Sequence, residues 1–125
     1  MLSLPPTMRI YLCVQPTDMR KGFDSLASMV SEQFGCNPLS GHLFVFPAKG
    51  NGRVKLLWWD RDGYALFYKR LEQGNYKFPK ALNSDVKALE IDATDMTALL
   101  SGFELLKVKR QLRFQREADL VTTEN

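Results

Sequence analysis

The sequence predicts one α+β domain: a small antiparallel β-meander sheet packed against one main helix, with a second short helix near the C-terminus. Three observations predict it. Alternating apolar residues broken by glycine-containing turns mark three consecutive strands between His42 and Leu71. An apolar stripe at helical spacing runs from Phe23 to Phe34. A length of 125 residues, 45% of them apolar, suits a single domain with its own core. That domain, 1–125, has its core at about residues 8–102, and 103–125 read as a basic C-terminal extension, partly frayed.

Each element has a local reason. Arg9 to Val14 alternates Ile10, Leu12 and Val14 with Arg9, Tyr11 and Cys13, a strand that Pro16 ends. Phe23, Leu26, Ala27, Val30 and Phe34 then form one helical stripe. Thr17 or Asp18 can cap its start, and Gly35 supplies its stop. His42 to Phe46 is a short apolar strand, and Gly50-Asn51-Gly52 offers the positive-φ residues of a tight turn. In Arg53 to Trp59, Val54, Leu56 and Trp58 share one face, while Arg53, Lys55, Leu57 and Trp59 share the other. Arg61-Asp62-Gly63 is the next turn, and Tyr64 to Leu71 the third strand. Asn75 to Pro79 is irregular, because Pro79 cannot donate to a ladder. Val86 to Ile91 reads as a further strand. Asp92 or Thr94 caps a helix containing Met96, Leu99 and Leu100, which Gly102 stops. Leu106 to Gln115 fits a strand or a helix about equally.

Composition narrows the function classes. The longest unbroken apolar runs, Leu43 to Phe46 and Leu56 to Trp59, fall far short of the roughly 18 residues that span a bilayer. Met1 to Thr7 holds two prolines and no charge, unlike a secretory leader, so a cytoplasmic location is expected. Two cysteines, Cys13 and Cys36, and one histidine, His42, are too few for a structural zinc site. Cys13 reads as a buried thiol and His42 as a polar residue opening a strand. Asp60-Arg61-Asp62-Gly63 lacks the later ligands of a calcium loop, and Gly50-Asn51-Gly52-Arg53 lacks the lysine and hydroxyl of a phosphate loop. Asp24, Asp60, Asp92 and Asp95 each have a turn or cap explanation. No cofactor, metal or catalytic constellation is expected.

The charge is unevenly spread. The chain carries a net +3, yet residues 41–80 hold eight basic groups against three acidic, together with nine of the fourteen aromatics. Basic groups among aromatics suit nucleic acid, through phosphate neutralisation and base stacking. They equally suit a half-buried sheet with aromatics inward and cations outward. Two clusters stand out. Arg20 and Lys21 lie beside the expected start of the helix, where backbone N–H groups and Gly22 could receive an anion; a helix starting only at Phe23 or Asp24 leaves both cations in a loop. Arg53, Lys55 and Trp59 share a strand face that one of Lys69 and Arg70 joins, since neighbours on a strand point oppositely.

Thr17-Asp18-Met19-Arg20-Lys21-Gly22-Phe23-Asp24-Ser25-Leu26, then Leu43-Phe44-Val45-Phe46, then Arg53 through Trp59-Asp60-Arg61-Asp62-Gly63 to Tyr68-Lys69-Arg70-Leu71-Glu72-Gln73-Gly74 and Pro79 together resemble one family. It is the Orf2-like accessory protein of the IS sixty-six family of bacterial insertion sequences. The resemblance runs from about Met8 to Gly102, with Tyr76 and Phe78 standing where the family pattern has Phe and Trp. It implies a protein that assists transposition while a separate, larger transposase performs strand transfer. The function expected is therefore a non-catalytic accessory factor that binds DNA within the transposase complex. Arg20, Lys21, Arg53, Lys55, Lys69 and Arg70 are the expected phosphate contacts, and Trp59 a stacking or docking residue. DNA and the element-encoded transposase are the expected partners. The rival is a module that docks the transposase without touching DNA; a nuclease or nucleotide-binding enzyme is the remaining alternative.

Overall fold

The computed structural model describes residues 7–79 and 85–100. In chain order these form β1 (Ile10–Cys13), α1 (Phe23–Met29) running into a π-helical turn (Val30–Phe34), β2 (Leu43–Pro47), β3 (Arg53–Asp60), β4 (Gly63–Arg70), β5 (Ala88–Ile91) and α2 (Ala93–Leu100). The five strands make one sheet in the order β4-β3-β2-β1-β5. The expectations for Gly102, for Leu106 to Gln115 and for the extension at 103–125 lie outside the described residues.

The α+β class is as expected, but the sheet is mixed. The antiparallel meander is real for β2, β3 and β4. The correction concerns β1, which runs parallel to β2, with Ile10 against Leu43 and Leu12 against Val45. A crossover that includes α1 returns the chain to the end of the sheet where it began, and such a return produces parallel neighbours. Strand β5 closes the other side antiparallel to β1, placing Ile91 opposite Ile10.

Strand alternation divides the core into two layers, one on each face. On the first face Ile10, Leu12, Leu43, Val45, Val54 and Leu56 meet Met96 and Leu99 of α2, with Tyr76 and Phe78 folded over them. The segment around Pro79 thus forms no strand, yet supplies two aromatic side chains to the core. On the second face Cys13, Phe44, Phe46 and Leu57 pack under Met19, Leu26, Ala27 and Val30. Each such large apolar side chain contributes about 1.5–3 kcal/mol on burial. The helical stripe is therefore correct in its middle. Phe23 departs from it: at the first helical position, on the rim of the layer, it remains 48% exposed.

The ends of the elements follow their local chemistry. Gly35 takes φ +67 at the end of the π-helical turn, a conformation most side chains disfavour. Asp92 caps α2, its Oδ1 accepting the Asp95 N–H at 2.7 Å while an Asp95 carboxylate oxygen accepts the Asp92 N–H at 3.4 Å. Asp95 is buried there, and desolvation, aided by the neighbouring Asp92 charge, raises its pKa to about 6. His42 precedes β2 and accepts the Arg9 N–H on Nδ1 at 3.0 Å. Cys13 is a buried free thiol, pushed up in pKa by burial.

Candidate nucleic-acid interface

The second face of the β3–β4 hairpin carries the densest polar chemistry. Register sets it: Arg53 stands opposite Arg70, Lys55 opposite Tyr68, Leu57 opposite Leu66 and Trp59 opposite Tyr64. Directly opposed like charges cost free energy in a sheet. Two contacts offset that here. Arg53 donates to the Tyr68 hydroxyl at 3.1 Å, and Arg70 pairs with Glu72 at 3.0 Å. Both guanidinium groups stay exposed, so the pair presents a concentrated cationic surface.

Lys55 behaves differently. It is only 7% exposed, and its ammonium donates to the carbonyls of Met19 at 2.8 Å and Lys21 at 2.7 Å. The same Nζ lies 4.7 Å from the centre of the Tyr68 ring. Two charge-assisted bonds and an aromatic face thus satisfy a buried ammonium. Lys55 is consequently unavailable to a phosphate. It instead fastens the loop before α1 onto the sheet beside Tyr68, bringing the backbone of Lys21 to this face.

The loop itself is folded by Asp18. Its Oδ1 accepts the Arg20 N–H at 2.9 Å, and its carbonyl accepts the Lys21 N–H at 3.1 Å. The Arg20 guanidinium, 91% exposed, forks onto the Asp18 carboxylate at 2.7–3.1 Å and holds that carboxyl well below the usual range. Helix α1 begins at Phe23 with Gly22 as its uncapped N-cap, so the cap expected at Thr17 or Asp18 is not made, the Asp18 carboxylate serving the preceding loop instead. Arg20 and Lys21 belong to that loop and not to the first helical turn.

A family model described as IS66 Orf2 like protein matches residues 8–110. The chain belongs to that family. Two proteins of Sinorhizobium fredii are similar to it, both described as uncharacterized. One, y4hO, is 38% identical over 83% of this chain and 88% of its own length; the other, y4jC, is 33% identical over 83% and 86%. No solved structure matches the chain. Membership of the IS66 Orf2-like family supports an accessory role in transposition. Met19 and Lys21, Phe46 and Tyr68, from three of the segments that resemble the family, meet at Lys55.

Not all the predicted residues of this IS66 Orf2-like chain share the patch. Lys69 stands opposite Val54, on the first face of the sheet, while its neighbour Arg70 joins Arg53. Trp59 is on the correct face but six residues along β3 from Arg53, about 20 Å away at strand spacing. It is half-buried, edge-on to Tyr64 with ring centroids 5.1 Å apart. The arrangement brings together Arg53 and Arg70, with the Lys21 backbone close by, and separates Lys69 and Trp59 from them. Sequence reasoning missed Tyr68, which links Arg53 to Lys55 and is 48% exposed. Counting back from the Asp60–Gly63 turn closure would have found it opposite Lys55.

No helix among the described residues is long and apolar enough to cross a membrane. No three His, Cys, Asp or Glu side chains among them gather closely enough to hold a metal ion.

Proposed function

We propose that this IS66 Orf2-like protein is a non-catalytic accessory factor that contacts DNA within the transposase complex. The observation that carries the reading is the opposed pair Arg53–Arg70, two exposed guanidinium groups held on one face with a half-exposed tyrosine beside them. A phosphate between them would remove what the Tyr68 and Glu72 contacts leave of the like-charge cost, and the Tyr68 ring would offer a stacking surface. Arg20 and Lys21 belong to the loop that Lys55 positions beside this face, and would add their charges to its basic surface. Lys69 on the opposite face and Trp59 at the far end of β3 would serve only a partner that wraps the edge of the sheet.

The rival, docking to the transposase without DNA, draws on the ion pairs. Asp18 and Glu72 already neutralise Arg20 and Arg70 in part. A titration of the purified protein against element-end and scrambled duplexes over a salt series separates the two. DNA contact predicts binding that weakens steeply with salt. Arg53→Ala/Arg70→Ala should then flatten the log–log slope by about 2, roughly 0.9 per lost phosphate contact. Absence of retention at low salt, with salt-tolerant capture by purified transposase, would establish the rival instead.

A further inference from the structure

We infer that two copies of this chain associate edge to edge through β4, antiparallel, so that one sheet runs continuously across the pair. Strand β4 is the outer strand on its side of the sheet. The Leu71 N–H donates to the Gly52 carbonyl at 2.9 Å, which fixes the parity of the ladder. Gly63, Ala65, Phe67 and Lys69 turn their backbone groups toward β3; Tyr64, Leu66, Tyr68 and Arg70 turn theirs outward. Among the described residues no backbone group pairs with that outer row. The edge spans eight residues in unbroken register without a bulge or a proline. Edges of this kind template pairing unless guarded, and the only charged residues within β4 itself are Lys69 and Arg70, both at one end.

The sequence of β4 selects the partner. Outward-facing residues must meet outward-facing residues, and the antiparallel registers of that parity that keep most of the strand paired centre on Leu66 or on Phe67. Centred on Leu66, the strand sets Tyr68 opposite Tyr64 of the second copy, half-buried Phe67 opposite Ala65, and Arg70 opposite Asp62. The cationic end of each strand then meets the acidic turn of the other, twice by symmetry. Asp62 would join Glu72 around a guanidinium that has donors for both. Centred on Phe67, the strand sets Arg70 opposite Tyr64 and leaves Asp62 unmatched. Parallel pairing in register stacks the cations against each other. A second copy, centred on Leu66, is the occupant that charge complementarity favours.

Sedimentation of the full chain, nuclease-treated and free of DNA, over a wide concentration range tests this without reference to nucleic-acid binding. Asp62→Arg and Arg70→Asp both change exposed residues, and unfolding followed by circular dichroism would verify that each variant folds. Each reversal alone should weaken self-association roughly tenfold, because two symmetry-related pairs turn repulsive together. The double reversal should restore it to within about threefold of the original. A chain monomeric at every concentration would overturn the proposal. So would a dimer indifferent to both single reversals, or a double variant as weak as the singles.

Discussion

Replacing Lys55 with methionine tests the central feature of the site. Lys55→Met keeps the unbranched stem that packs between the loop and the sheet, and removes the ammonium alone. The ammonium makes two bonds to carbonyls, at 2.8 and 2.7 Å, and one contact with the Tyr68 ring. Hydrogen bonds to charged groups each contribute about 1.5–3 kcal/mol, and the ring about 0.5–2 kcal/mol. These sum to more than the expected loss, since burying the ammonium itself carries a desolvation cost that methionine does not incur. A net destabilisation of about 2–4 kcal/mol is expected. For a domain of this size that is a fall in Tm of about 8–20 °C, read by thermal unfolding and by urea titration. A loss below about 1 kcal/mol would refute the reasoning, for it would mean that Lys55 is in effect another solvated surface cation.

Three further outcomes follow from particular residues. The folded-state pKa of Asp95, raised to about 6 chiefly by desolvation, lies above its unfolded value, so the folded chain binds that proton more tightly. Its contribution is then fully present below the unfolded pKa and lost as pH rises through about 6; Asp95→Asn should stabilise the chain by about 1–3 kcal/mol at neutral pH and flatten urea midpoints between about pH 4 and pH 7. Tyr76 is buried, and its hydroxyl finds no partner among the described residues, so Tyr76→Phe should be neutral or stabilising by about 1 kcal/mol in the same unfolding assay. Arg61 holds φ +59 in the β3–β4 turn, a conformation that glycine adopts freely, and Arg61→Gly should raise stability by about 0.5–1 kcal/mol, visible as a higher Tm.

Local chemistry carried by neighbours in sequence was largely legible, the cap expected at Thr17 or Asp18 excepted, where the helix starts later, at Phe23. The stripe through Leu26, Ala27 and Val30, the alternation of Arg53 to Trp59, the turn at Arg61-Asp62-Gly63 and the cap at Asp92 all use rules that span a few residues. The parallel pairing of β1 with β2 was not legible in the same way, because strand direction depends on which way a crossover carries the chain. The burial of Tyr76 and Phe78 was missed for a related reason: Pro79 correctly forbids a central strand there, but says nothing about packing. Among the site residues, alternation alone separated Lys69 from Arg70. Lys55 could not be told from Arg53 by pattern, since both are cations on one strand face. What distinguishes them is a loop more than thirty residues earlier, whose carbonyls reach one and not the other.

That long-range contact makes the basic surface and the stability of the domain two readings of one device. The loop from Thr17 to Gly22 is ordered at its own level by Asp18, and anchored to the hairpin by Lys55. The Lys55 bonds, with the Thr17 N–H bond to the Pro47 carbonyl and the buried Met19 side chain, therefore hold Arg20 and Lys21 in place relative to Arg53 and Arg70. If DNA is the ligand, the two kinds of residue must fail differently. Losing Arg53 removes a phosphate contact, so affinity falls and the salt slope falls with it by about 1. Losing the Lys55 ammonium releases no counterion, because that group already sits on two carbonyls; affinity should fall through misplacement of the loop while the contacts at Arg53 and Arg70 keep their share of the slope. A salt slope reduced as much by Lys55→Met as by Arg53→Ala would mean that the Lys55 ammonium leaves its carbonyls for a phosphate on binding, and that the loop is released when DNA arrives.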